Sequence, residues 1–314
     1  MPTSNKDKEY VMKKVGMLVA VLLGLSIVPS QAADVAKPTV VIIDMAFDTT
    51  VQELQGKVIQ EVCLVEGTSC LNKTGFEEGL GSATLPSSVA LSGGFEHGTY
   101  MATVAATVNP NANLILIRIA GINKNGRILS PSSNAINLAL DWVNKNVSKY
   151  NIVATSTSLS NTAFNPGANY CKINKALQDT IISLQSKNVA ASFSAGNTYD
   201  RVRVSYPACI PQAIAVGATN YSETTKTGVV NPISLASAGG PDVDFYALGS
   251  WQLRLTRING QTSPATAAFA ANWAKQVVKL GTSDYNTIYN SLKAKGQPAS
   301  NQFISSNAYV NVLE

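Results

Sequence analysis

Hydrophobic positions recur along this chain in two alternating patterns. Residues 39–44 (TVVIID), 113–120 (NLILIRIA), 152–159, 189–195 and 213–219 are short β-rich runs without clean apolar–polar alternation. Such runs read as strands buried on both faces of a parallel sheet. Between them, Met101, Val104, Ala105 and Val108 share one helical face. So do Ile136, Leu140, Val143 and Val147, and then Ile173, Leu177, Ile181 and Leu184. Residues 264–280 are Ala-rich and apolar, which predicts a helix buried on most sides. Strands alternating with helices predict an α/β fold, a three-layer α/β/α arrangement around a mainly parallel sheet. Residues 64–94 carry much Gly and Ser and little periodicity, and read as a surface excursion. No repeat or low-complexity linker divides the chain, so residues 33–314 are expected to form one domain.

The first 32 residues stand apart. Lys13 and Lys14 precede a 14-residue apolar stretch, residues 15–28, which Pro29 ends. Ser30-Gln31-Ala32 then supplies small residues where a signal peptidase reads them. Fourteen helical residues reach about 21 Å, short of a ~30 Å hydrocarbon core. Residues 1–32 are therefore expected to be a cleaved signal peptide rather than a membrane anchor, leaving the mature protein secreted or periplasmic. The net charge is +5, and +3 once the four Lys and two acidic residues of 1–32 are gone. With no Lys/Arg stripe, that charge gives no expectation of a nucleic-acid partner. No second apolar run reaches membrane-spanning length, so no stable membrane anchor is expected after signal removal. An even count of four cysteines in an exported chain predicts two disulfides. Cys63–Cys70 would close a short local loop, and Cys171–Cys209 would tie two distant segments. The alternative is a metal site, but no C-x-x-C pair is present and the one histidine lies elsewhere.

Four segments carry polar residues with a mutual chemical logic. Asp44 ends the first strand, and ligands of open parallel sheets bind beyond the carboxyl ends of the strands. Taken alone it reads more simply as a loop or cap residue. His97 is the only imidazole in the chain and so the one candidate general base of that type. It opens an apolar helix from a Gly-rich loop, which places its ring at a surface. Gly196-Asn197 follows the fourth strand; the Asn amide can donate to an oxyanion, or the pair can be an ordinary turn. Ser263 reads as the N-cap of the Ala-rich helix, with Pro264 as its first residue. A nucleophile at that position gains from the helix dipole when an oxyanion forms nearby.

Together these segments resemble the subtilase family. Thr39-Val40-Val41-Ile42-Ile43-Asp44 looks like its strand ending in the catalytic Asp, and His97-Gly98-Thr99 like its His-Gly-Thr motif. Ser158-Leu159-Ser160 resembles the strand lining its substrate cleft, and Ala195-Gly196-Asn197 the segment of its oxyanion Asn. Tyr206-Pro207 and Ile214-Ala215-Val216-Gly217-Ala218 resemble the stretch downstream of that Asn, and Thr262-Ser263 with Ala265 its nucleophile motif. The order Asp, His, Ser along the chain is the one known for subtilisin. The resemblance implies a secreted serine endopeptidase with Ser263 as nucleophile, His97 as general base and Asp44 as its orienting carboxylate. Asn197 and the Ser263 backbone N–H would hold the oxyanion. Ser158, Leu159 and Ser160 would line the cleft. Ser205 would floor a roomy specificity pocket accepting large apolar or aromatic side chains. Protein or peptide substrates and a monomer are implied. No cofactor is required for the chemistry and no metal is assigned, with a structural calcium ion left open.

Several positions depart from the family's pattern. Met45-Ala46 follows the Asp where Thr-Gly is usual, Ser160 replaces a cleft Gly, Tyr100 a common His, and Ala267 a Pro. Gln261 stands where Gly usually precedes Thr-Ser; a positive φ there would cost about 1–2 kcal/mol. About a dozen residues (33–43) separate the expected cleavage site from Asp44, too few for a folding prodomain, so the mature chain is expected to refold alone. Anchoring the nucleophile motif on Gly260 instead would make Thr262 the nucleophile. Two rival readings remain. One is an inactive subtilase-fold binding or scaffold protein; the other is a sedolisin-like Ser-Glu-Asp peptidase, which the His97-Gly98-Thr99 match disfavours.

Overall fold

The computed structural model describes residues 37–312 except 68, 124, 126, 130, 160–170 and 221–230. The expected signal peptide and Ser160 lie outside the described residues. Along the chain run β1 (Thr39–Asp44), β2 (Val58–Leu64), β3 (Phe76–Glu78), α1 (Ser87–Ala90), α2 (Glu96–Val108) and β4 (Asn113–Arg118). Then come β5 (Gly121–Ile122), β6 (Ile128–Leu129), α3 (Ser133–Tyr150), β7 (Ile152–Thr157), α4 (Lys175–Ser186), β8 (Ala190–Ser194) and β9 (Ile214–Thr219). The last part holds β10 (Asn231–Pro232), β11 (Phe245–Leu248), β12 (Trp251–Gln252), β13 (Arg257–Ile258), α5 (Thr262–Leu280), α6 (Tyr285–Ala294), β14 (Gln297–Ser300) and β15 (Ser305–Tyr309). Among the described residues the main sheet has the order β10-β14-β15-β11-β9-β8-β7-β1-β4-β2-β3. From β11 to β2 every neighbouring pair is parallel.

β1 shows why the apolar runs lack alternation. It is buried along its whole length between β4 and β7. Val40 and Ile42 pack into one core with residues of α2 and α5, and Val41 and Ile43 into a second with residues of α3 and α4. Both faces exclude water, so both need apolar side chains. The result is a three-layer α/β/α architecture with a large core on each face of the sheet.

α5 is the central helix. Fourteen of its nineteen residues are buried, eight of them between Thr262 and Ala271 being Ala or small hydroxyl residues that permit close approach to the sheet. Facing it, β7 and β8 present Ser156 and Ser192, both fully buried. Gly281 ends the helix with φ +63°, the left-handed C-terminal stop that glycine adopts without a Cβ penalty.

The structure corrects three sequence expectations. Ile173 precedes α4 and is 43% exposed. The helix starts instead at Lys175, capped by Asn174, whose Oδ1 accepts from the Ala176 and Leu177 N–H groups at 3.0 and 3.3 Å; a side-chain cap outweighs one apolar position in the pattern. Residues 64–94 are not simply a surface excursion. β3 pairs antiparallel with β2 at the sheet edge, and buried Glu61 turns the chain back by accepting from Ala83 N–H at 3.1 Å and Thr84 O–H at 2.8 Å. Third, Ser263 is not the N-cap of the Ala-rich helix. Gln261 caps it with φ −98° and ψ 146°, and Ser263 and Pro264 lie within its first turn. Pro is tolerated there because first-turn N–H groups have no intrahelical partner. The extended φ also means Gln261 carries none of the strain a positive φ would impose.

Disulfides join Cys63 to Cys70 (S–S 2.05 Å) and Cys171 to Cys209 (2.02 Å). The first staples the loop after β2, where buried Arg118 donates to Ser69 O at 2.9 Å and Ala120 O at 3.1 Å. The second anchors the segment whose Cys209 N–H donates to Ser205 O at 3.3 Å. Replacing Cys171 and Cys209 by Ser is expected to cost about 2–5 kcal/mol of stability, read from the urea midpoint. An unchanged midpoint would contradict a structural role for this bond.

Candidate active site

Asp44 ends β1, and Ser158 and Gly196-Asn197 lie just past the carboxyl ends of β7 and β8. α2 and α5 pack against each other in one core, and Asn109 at the end of α2 donates to Ala271 O at 3.3 Å. His97 and Ser263 are the second residues of these two helices.

Asp44 is fully buried at the end of β1. Its Oδ1 accepts from the Met45 N–H at 2.7 Å and lies 2.7 Å from His97 Nδ1. Its Oδ2 has no hydrogen-bond partner among the described residues. The His97 side chain is one-third exposed, so the pair reaches from the interior to the surface. Each residue of His97-Gly98-Thr99 contributes to this approach. A Cβ on Gly98 would fall 2.4 Å from Ala46 O, so a larger residue would push α2 off the turn after Asp44. The Thr99 hydroxyl accepts from Asp48 N–H at 3.0 Å and fixes the other side of that turn. Burial pulls the His97 pKa down, but the Asp44 charge and hydrogen bond, helped by Glu96, outweigh it and raise the pKa above 6.5.

Thr262 connects the second half of the site. Its N–H and O–H donate to Asn197 Oδ1 at 3.0 and 3.1 Å, and its Oγ1 accepts from Gly196 N–H at 3.2 Å. With Asn197 Oδ1 occupied, the Nδ2 group of this exposed side chain has no hydrogen-bond partner among the described residues. The fully buried Thr262 hydroxyl is committed to these bonds, which argues for Ser263, the next residue, as the reactive hydroxyl. In sequence terms Thr262 is only a rival nucleophile; a Thr before the Ser offers no pattern that announces a clamp on a residue 65 positions away.

Ser158 Oγ donates to Ser263 O at 3.3 Å, and Ser194 Oγ donates to Ser158 O at 3.3 Å. Leu159 is partly buried against the α3/α4 core. Gly196 has φ +106°, and a Cβ there would lie 2.1 Å from Ser205 Oγ, so Ser205 sits directly behind the backbone that carries Asn197. Ser205 N–H donates to Ala195 O at 2.7 Å, closing that loop. Among the described residues no group of three or more His, Cys, Asp or Glu is placed to hold a metal ion, and no helix is long and apolar enough to cross a membrane.

The fold is subtilisin-like. The S41 psychrophilic protease superposes with a TM-score of 0.66 at 18% identity, covering 88% of this chain and 92% of that one. Sphericase gives 0.65 at 17% identity, with 88% and 92% covered. A cold adapted subtilisin-like serine proteinase gives 0.59 at 20% identity, with 83% and 82% covered. The chain belongs to the Subtilase family, whose profile matches residues 36–288. Subtilisin-like protease 2 of Arthroderma otae is 28% identical over 162 residues, 49% of this chain. That match spans 33% of the relative, so the chain aligns with about a third of its length.

Proposed function

We propose that this chain is a secreted serine endopeptidase that hydrolyses peptide bonds of protein or peptide substrates through an acyl-enzyme. The observation that carries the reading is the buried Asp44 carboxylate held 2.7 Å from Nδ1 of the chain's only histidine. With Nδ1–H on Asp44, the opposite nitrogen, Nε2, is left as the base. It takes the proton of Ser263 Oγ as that oxygen attacks the substrate carbonyl, then returns it to the leaving amine. Asp44 keeps the ring in this tautomer and stabilises the imidazolium formed in each half-reaction. Asn197 Nδ2 and the Ser263 N–H receive the developing oxyanion, the latter at the positive end of α5. Water then releases the acyl group by the same steps in reverse. Family membership and the two disulfides support the reading and its exported setting.

Hydrolysis of an internally quenched peptide is the test, and its pH dependence probes the base. His97 acts as base only when neutral, so kcat/KM should rise with pH through a midpoint above 6.5, the direction of its shift. The linked stability has the opposite sense: a raised folded pKa stabilises the fold below the unfolded value, and that contribution is lost as pH rises through the folded pKa. Activity that peaks in acid and falls on neutralisation would contradict this base. Folded protein with no turnover would favour a non-catalytic binding module.

A further inference from the structure

A cavity of about 610 Å³ opens beside the turn that leads into Ser263. Its volume is that of a ligand site. Leu248 and Trp251 supply apolar wall, Asn220, Ser250 and Asn259 supply polar groups, and Arg257 brings a guanidinium. The cavity is built rather than incidental. Trp251 is mostly buried, and its indole N–H donates to Leu248 O at 2.8 Å. β12 and β13 pair as a two-stranded ribbon that sets Arg257 across from Gln252. Ser250 Oγ accepts from Gly260 N–H at 2.8 Å, and Gly249 O accepts from Gln261 N–H at 3.0 Å. Gly260, at φ +59°, leaves a would-be Cβ only 2.2 Å from Asn220 Oδ1, so the cavity wall closes directly on the nucleophile turn.

The Arg257 side chain is exposed, and its guanidinium has no ion pair or hydrogen bond among the described residues. Its neighbour Arg254, by contrast, lies 3.8 Å from Glu53. A free guanidinium over an aromatic and polar lining suits a carboxylate, which it can bind through two parallel hydrogen bonds. Asn259 lies four residues before Ser263, at most about 14 Å of chain, a span an extended peptide covers in about four residues.

We propose that this cavity is a charge-reading subsite that takes an Asp or Glu side chain of the polypeptide substrate, bound by Arg257, within about four residues of the scissile bond. The proposal deepens the endopeptidase reading and rests on it for the identity of the ligand. It would add a second specificity to the one expected over Ser205.

Binding is measured without turnover, in the Ser263→Ala protein. Short rhodamine-labelled peptides carry one Glu walked through every position, each matched by a Gln control, and fluorescence anisotropy reports affinity. At one position Glu is expected to bind about threefold to fivefold more tightly than Gln, an advantage that fades at high salt. Arg257→Gln should abolish it, and Arg257→Glu should turn the preference toward Lys. No acidic advantage at any position, or one that survives Arg257→Gln or high salt, overturns the proposal. The salt arm needs no substitution at residue 257, so it decides even if those variants fail to fold. An acid-selective site on a protein that hydrolyses nothing would overturn the peptidase reading alone, and a working peptidase without acid selectivity would overturn the subsite alone.

Discussion

His97→Ala should lose about 10⁴-fold or more in kcat while remaining folded. No second imidazole exists in the chain to substitute for it. In the proposed mechanism, deleting the ring removes the base that accepts the Ser263 proton and the acid that protonates the leaving amine. Both halves of the reaction then depend on water alone. The deletion also has a structural cost. Asp44 is fully buried, its Oδ2 has no partner among the described residues, and its Oδ1 would keep only the Met45 N–H. A buried carboxylate that loses a hydrogen bond costs about 1–3 kcal/mol, a sizeable part of a typical domain stability of about 5–15 kcal/mol but not all of it. Circular dichroism and a urea titration should therefore show a folded, weakened protein. A folded variant retaining more than a few per cent of wild-type turnover would remove His97 from the chemistry.

The second large effect is expected at Asn197. Asn197→Ala should lower kcat by about 10²–10³-fold with KM little changed, because its amide meets negative charge that exists only in the transition state. Asn197→Asp keeps the shape and removes the donor, so it should fall as far. Thr262→Val separates donation from positioning. It removes the hydroxyl that holds Asn197 Oδ1 at 3.1 Å but leaves the Thr262 N–H at 3.0 Å. Its loss should be smaller than that of Asn197→Ala. Wild-type kcat in Asn197→Ala would show that the oxyanion is held elsewhere.

The parts of this molecule that are legible in the sequence are those whose signals are local. β1, β4, β7, β8 and β9 are buried almost throughout and read as short β-rich runs without apolar–polar alternation, which is a property of one segment. α2, α3 and α5 carry their stripes within their own length. The motifs around Asp44, His97 and Ser263 are each short and ordered along the chain. β2 is hidden because Gln60 and Glu61 interrupt its pattern, and Glu61 is polar for a tertiary reason, holding Ala83 and Thr84. β14 and β15 lack β-rich composition; their pairing partners, not their residues, make them strands. In the site, the Thr262 clamp on Asn197 and the close approach of Gly98 to Ala46 join residues far apart in sequence. The cavity at Arg257 depends on separate segments meeting, which no single stretch announces. Gln261, a departure from the family pattern, carries no backbone strain because its φ of −98° suits any residue.

The central claim is that Ser263 is a nucleophile activated by His97. A fluorophosphonate probe followed by mass spectrometry of the labelled peptide tests it most directly. The account predicts label on Ser263 alone, in wild type and not in folded His97→Ala. Label on Thr262, or equal labelling of Ser263 without His97, would contradict it.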